Sequence, residues 1–239
     1  MQSLIFQIVR FRAKYWLPFL LVAVSLGCSA EGDTTARTQT SDGTATGAAP
    51  VTSTALAPAT TGCRLGELEA ADHVSARCLF YDVYGLELAH VALQLAFGLR
   101  HPDRGTWHAA ATWWQLPWSF DYIGPTPCRL TSSSVPLTLE YMLPRWKPPG
   151  RVDPAAATEW NRYLDRLWEH ERGHARNGLA AAREIQSMLA RLPAAPDCRR
   201  LELNAQAAVE RILDRWDRAN VAYDDATDGG AKTGAVLNP

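Results

Sequence analysis

The sequence predicts an α+β fold: an antiparallel β meander packed with a long helix and a second, antiparallel helix, stapled by disulfides. Three observations carry this. An apolar stripe with helical spacing runs from Trp160 to Leu189, bracketed by Asp153-Pro154 and by Pro193. Ahead of it, Val135, Leu137, Leu139 and Tyr141 share one parity, the period of a half-buried strand. Cys63, Cys78, Cys128 and Cys198 form an even set that can pair in an oxidising compartment.

At 239 residues the chain can hold one good-sized domain with extras. Its formal net charge is -1 and no basic face stands out, which argues against a nucleic-acid partner. Of nine tryptophans most fall between Trp107 and Trp168, a density expected of a core.

The N-terminus reads as an export signal over residues 1–28. Arg10, Arg12 and Lys14 precede the apolar run WLPFLLVAVSLG, which is shorter than the roughly 20 residues of a membrane span. SLGC resembles a bacterial lipobox with Cys28 as the lipidated residue; ordinary cleavage after Ala30 is the alternative. Cysteine parity favours the lipobox, since Cys28 is the odd one of five. Residues 29–62 are Thr, Ala, Gly and Ser with little to bury, a tether rather than a fold. The folded domain is expected over residues 63–239, exported to the envelope or periplasm, with membrane contact only through the lipid anchor.

Along the domain, CLFYDVYG is β-rich, and LELAHVALQLAFGL has helical spacing that stops near Gly98. His90 and His101 fall here and read as ordinary polar residues. The runs WHAAATWWQLPWSFDYI and CRLTSSSVPLTLEYML flank the turn GPTPC, and Pro136 marks an edge or a bend in the second. PRWKPPG is expected to link into the long helix. A second helix is predicted from about Arg199 to Asn220, burying Leu201, Ala205, Val209, Ile212 and Trp216. Cys198 in the intervening loop can reach Cys128, with Cys63–Cys78 as the other bridge; all three pairings remain open from sequence.

The chemistry concentrates in HERGH, residues 170–174, within the long helix. Histidines four apart lie about 40° apart around the helix axis, so both imidazoles can reach one metal ion. His170, Glu171 and His174 fall on the apolar stripe, whereas Arg162, Asp165, Glu169, Arg172, Arg176, Arg183 and Arg191 populate the other side. Two histidines and a carboxylate on a buried stripe are costly without a partner, and a metal would be one. HExxH is the zinc-hydrolase pattern: His170 and His174 as ligands, Glu171 as general base. Gly173, which weakens a helix by about 1 kcal/mol against Ala, suggests close packing.

Several stretches in order, namely YDVYG, ATWWQLPWSFDY, Cys128, LPRW, HERGH, Cys198 and the YDxxT of residues 223–227, resemble one family. It is a group of bacterial exported proteins filed as a domain of unknown function and regarded as zinc-dependent proteases. The resemblance covers roughly residues 78–236. It implies zinc as cofactor, a protein or peptide substrate, and a third ligand near the C-terminus. The family's element runs YDxxTxHG, and Gly229 stands where its histidine would be.

A catalytic zinc normally has three protein ligands. Asp228 is the expected substitute, with Asp224 and Asp225 also in range. The metzincin spacing is excluded by Asn177 and Ala180, and a glutamate on the following helix would have to be Glu202 or Glu210. The expected function is a zinc-dependent metallopeptidase, hydrolysing peptide or other amide bonds. The alternative is an inactive, disulfide-stabilised binding or scaffold module that has lost its third ligand.

Overall fold

The computed structural model describes residues 2–4, 65–100 and 107–239. The export signal beyond Leu4, Cys28, the tether, Cys63 and His101 lie outside the described residues. The elements are β1 (Gln2–Leu4), β2 (Val74–Tyr84), α1 (Leu88–Leu95), β3 (Leu99–Arg100), β4 (Trp107–His108), β5 (Ala111–Gln115), β6 (Ser119–Ile123), β7 (Arg129–Ser134), β8 (Leu137–Lys147), α2 (Pro154–Ala190) and α3 (Cys198–Thr227).

The two strand-like runs form one antiparallel hairpin, bent across two sheets. β5 pairs with β8, Gln115 opposite Thr138; β6 pairs with β7, Ser119 opposite Ser134. The register therefore carries across the break, where Pro117 and Pro136 withhold the N–H a ladder needs. β1 lies antiparallel along β6. The two runs pair antiparallel as expected, and β2, which the sequence left without a partner, lies parallel to β8 from Val74 opposite Leu137 to Tyr84 opposite Lys147. The sheet β2-β8-β5 is thus mixed, with β8 central. PRWK is not a linker but the end of β8; Pro144 is accommodated because β5 reaches no further than Met142, leaving one side unpaired there.

β8 turns Leu137, Leu139, Tyr141, Leu143 and Trp146 into the core. There Tyr141 meets Trp168 edge-on at 4.6 Å, and Trp146 lies 5.6 Å from Trp160, both partners on α2. At 37 residues α2 is about 55 Å long. Asp153 caps it, accepting from Ala155 N at 2.7 Å, with Pro154 at the first helical position. Among the described residues no helix is long and apolar enough to cross a membrane.

After a short loop, α3 packs beside α2, capped by Asp197, which accepts from Arg200 N at 2.7 Å. Cys198, its first residue, is disulfide-bonded to Cys128 at the start of β7, and Cys128 also exchanges both backbone hydrogen bonds with Ala195 at 2.9 Å. The hairpin and the helix pair are stapled at this point. Cys78 is disulfide-bonded as well. α3 runs seven residues beyond the expected end at Asn220, to Thr227. The C-terminal tail then returns along α2: Arg162 donates to Gly234 O at 3.0 Å and to Val236 O, and Asn238 N donates to Glu159 Oε1 at 2.8 Å.

Candidate metal centre

The buried stripe of α2 carries the polar residues of interest. His170 and Glu171 are 4 % and 2 % exposed, and the His174 side chain 12 %. On one side lies β5, whose Thr112 Oγ1 donates to Glu171 Oε2 at 2.7 Å. A Cβ at Gly178 would come within 2.9 Å of Trp114 on the same strand, so this glycine sets how closely strand and helix approach.

On the other side lies the last part of α3. Asn220, Tyr223, Asp224 and Thr227 are spaced by three and four residues, which puts them on one helical face. That face meets the two histidines. Asp224 Oδ1 lies 3.0 Å from His174 Nε2 and 3.3 Å from His170 Nε2. Asn220 Oδ1 sits 3.1 Å from His174 Nδ1, and Thr227 Oγ1 3.4 Å from His170 Nδ1. The Tyr223 ring stacks on His170 at 5.1 Å and 13°, and stands edge-on to His174 at 5.1 Å. Gly173 makes this approach workable, since a Cβ there would overlap the Tyr223 ring. The close packing suggested by that glycine is thereby located.

One ligand atom each from His170, His174 and Asp224 can be chosen so that all lie within 4.8 Å of one another. Zinc–nitrogen and zinc–oxygen bonds of about 2.0–2.2 Å in tetrahedral geometry put neighbouring ligand atoms about 3.3–3.6 Å apart. Asp224 is 3.3 Å from one nitrogen and 3.0 Å from the other, within reach of that spacing by small side-chain shifts. Two imidazoles and a carboxylate are a donor set that suits zinc.

Burial and the contacts among these side chains set the charges of the group. Burial works against a charged Asp224, but hydrogen bonds from both histidines outweigh it and hold its carboxyl well below the usual range. Burial likewise opposes the charged form of His174; Asp224 and Glu171 overcome it and the imidazole is pushed up. Glu171 goes the other way: burial dominates and raises its carboxyl, against the lowering by His174 and the Thr112 hydrogen bond.

The third position differs from the sequence expectation. Asp228 is not in the group; it is exposed and caps the C-terminus of α3 in the left-handed conformation, φ 53°. Asp225 is exposed too. A Cβ at Gly229 would meet nothing within 4 Å, whereas Gly230, at φ 91°, passes so close that a Cβ would lie 3.0 Å from His170 Cγ. The aspartate of the YDxxT element supplies the carboxylate because α3 continues through it. Glu202 lies beside Tyr122 and Glu210 accepts from Gln206 at 3.0 Å; neither joins the group, and His90 is exposed. Sequence reasoning assigned no role in the site to Thr112 or Asn220, and Tyr223 figured only as the first residue of the YDxxT element. The available signal was the spacing from Asn220 to Thr227, uninterrupted by glycine or proline before Gly229.

A family model described as "Bacterial protein of unknown function (DUF922)" matches residues 79–230. No curated protein and no solved structure matches the chain.

Proposed function

The chain belongs to the DUF922 family of bacterial proteins, and since that description names no activity, we propose from the site alone that it is a zinc-dependent hydrolase of peptide or other amide bonds. The observation that carries the proposal is the convergence of His170 and His174 of α2 with Asp224 of α3, beside a buried Glu171. In this reading His170 Nε2, His174 Nε2 and Asp224 hold Zn²⁺, and Asp228 has no part in binding it. When bound, zinc would supply Lewis acidity toward a scissile carbonyl and an attacking water.

The chain's own groups supply the rest. Glu171 has a carboxylate whose proton affinity is raised by burial, as a general base working near neutral pH requires. It takes the proton of the attacking water as the new C–O bond forms. It then delivers that proton to the amide nitrogen as the C–N bond breaks. Thr112 donates to one of its oxygens and fixes the plane of the carboxylate. Zn²⁺ held there would have its two charges balanced by Asp224 and Glu171, with both imidazoles neutral. Envelope location and a lipid anchor at Cys28 belong to the same proposal, and they rest on the sequence reading of the N-terminus. The rival reading of an inactive module drew its support from Gly229; Asp224 as third ligand removes that motive.

The test is elemental analysis of purified wild type, His170→Ala and Glu171→Gln, alongside a peptide-library hydrolysis assay. About one zinc per chain is expected in wild type and Glu171→Gln, with hydrolysis only in wild type. Metal absent from all three, or hydrolysis unchanged in Glu171→Gln, overturns the proposal.

A further inference from the structure

Both histidines make a second contact, on the nitrogen turned away from Asp224, and both contacts come from α3. Asn220 Oδ1 faces His174 Nδ1 at 3.1 Å and also accepts from Asn177 Nδ2 at 2.9 Å. With Asn177 donating to it, that atom is the amide oxygen, and an oxygen can only accept from His174. Thr227 has one hydroxyl hydrogen, and it is directed to Tyr223 O at 2.7 Å. Toward His170 Nδ1, at 3.4 Å, Thr227 is therefore an acceptor as well.

We infer that Asn220 and Thr227 are positioning residues that hold the proton of both imidazoles on Nδ1 when a metal displaces the Nε2 hydrogens that Asp224 accepts, so that both Nε2 lone pairs then point at the metal position, with Asn177 holding Asn220 in place. This role rests on the zinc reading above and deepens it. A hydrogen-bond partner on the far nitrogen selects the tautomer, fixes the ring and raises ligand basicity. Each partner lies one helical turn from Asp224: Asn220 four residues before it and Thr227 three after. A single stretch of α3 thus brings a ligand and the orienting groups for the two other ligands.

The experiment is Co²⁺ titration of the purified full chain by visible absorption, with Zn²⁺ competition for affinity. Asn220→Ala and Thr227→Val are expected to weaken binding about 10- to 100-fold each. Asn220→Asp and Thr227→Ser, which keep an acceptor, restore most of it. A residue acting only through packing would not be rescued by the acceptor. Nitrogen-15 spectra of the zinc-loaded chain should show Nδ1 protonated and Nε2 ligated on both rings. Wild-type affinity in Asn220→Ala, no gain from Asn220→Asp over Asn220→Ala, or ligation through Nδ1 overturns the positioning role. Wild type that takes up neither metal overturns the zinc reading and this role with it. If Asn220→Ala does not fold, Thr227→Val and the nitrogen-15 spectra decide.

Discussion

Replacing Gly173 by alanine adds one methyl group to α2 where Tyr223 of α3 lies against it. On an open helix this change stabilises by about 1 kcal/mol. Here the three nearest atoms to the new Cβ all belong to the Tyr223 side chain, and they overlap it. The ring has little freedom to swing aside, because its face lies on His170 and its flank against His174. Forcing a methyl into such a contact costs about 1–3 kcal/mol. Subtracting the helix gain leaves a net loss of up to about 2 kcal/mol for Gly173→Ala. In a Tyr223→Ala background the obstacle is gone and the same substitution should stabilise by about 1 kcal/mol. The coupling between the two sites is then about 1–3 kcal/mol, measurable by a double-mutant cycle from urea unfolding midpoints at constant m. Gly173→Ala raising the midpoint of the otherwise wild-type chain would refute the packing argument, as would the same sign in both backgrounds.

Asp224→Ala should abolish stoichiometric zinc binding, whereas Asp228→Gly should leave it within about twofold, since Asp228 occupies a left-handed cap position that glycine adopts readily; equal losses in both variants would restore Asp228 as a ligand. Breaking the Cys128–Cys198 bridge by a double serine substitution should lower stability by about 2–4 kcal/mol, because it closes a separation of 70 residues in the unfolded chain; an unchanged urea midpoint would show that the staple carries no weight. Arg162 beside Glu159 holds that carboxyl down at about 2 in the folded chain, against an ordinary 4.5. Because the folded value is the lower one, this contribution is complete above pH 4.5 and fades as pH falls toward 2. The gap in urea midpoint between wild type and Glu159→Gln should close over that range, and a gap independent of pH would count against the pairing of Glu159 with Arg162 and the tail.

The sequence by itself determined the helices and the half of the site they carry alone. Period and punctuation placed α2 between Asp153 and Pro193, and the observed helix begins at Pro154 with Asp153 as its cap. His170, Glu171 and His174 were legible because all three lie on one helix, where spacing fixes which way side chains point. The parity of Val135 to Tyr141 found the core face of β8 in the same way. Periodicity is a local property and says nothing about partners. That β2 adds to β8 in parallel depends on pairings 63 residues apart, and that two prolines carry one hairpin across two sheets depends on pairings up to 31 residues apart. The third position of the site was lost at a boundary. Reading YDDATDGG as a turn ended α3 at Asn220 and left its aspartates without a common face. Packing against α2 sustains α3 to Thr227, because Tyr223 fills the groove at Gly173 and Asp224 gains two histidine partners. Only that tertiary contact selects Asp224 over Asp225 and Asp228, three carboxylates that are chemically alike in the sequence and separated by which side of one helix faces another.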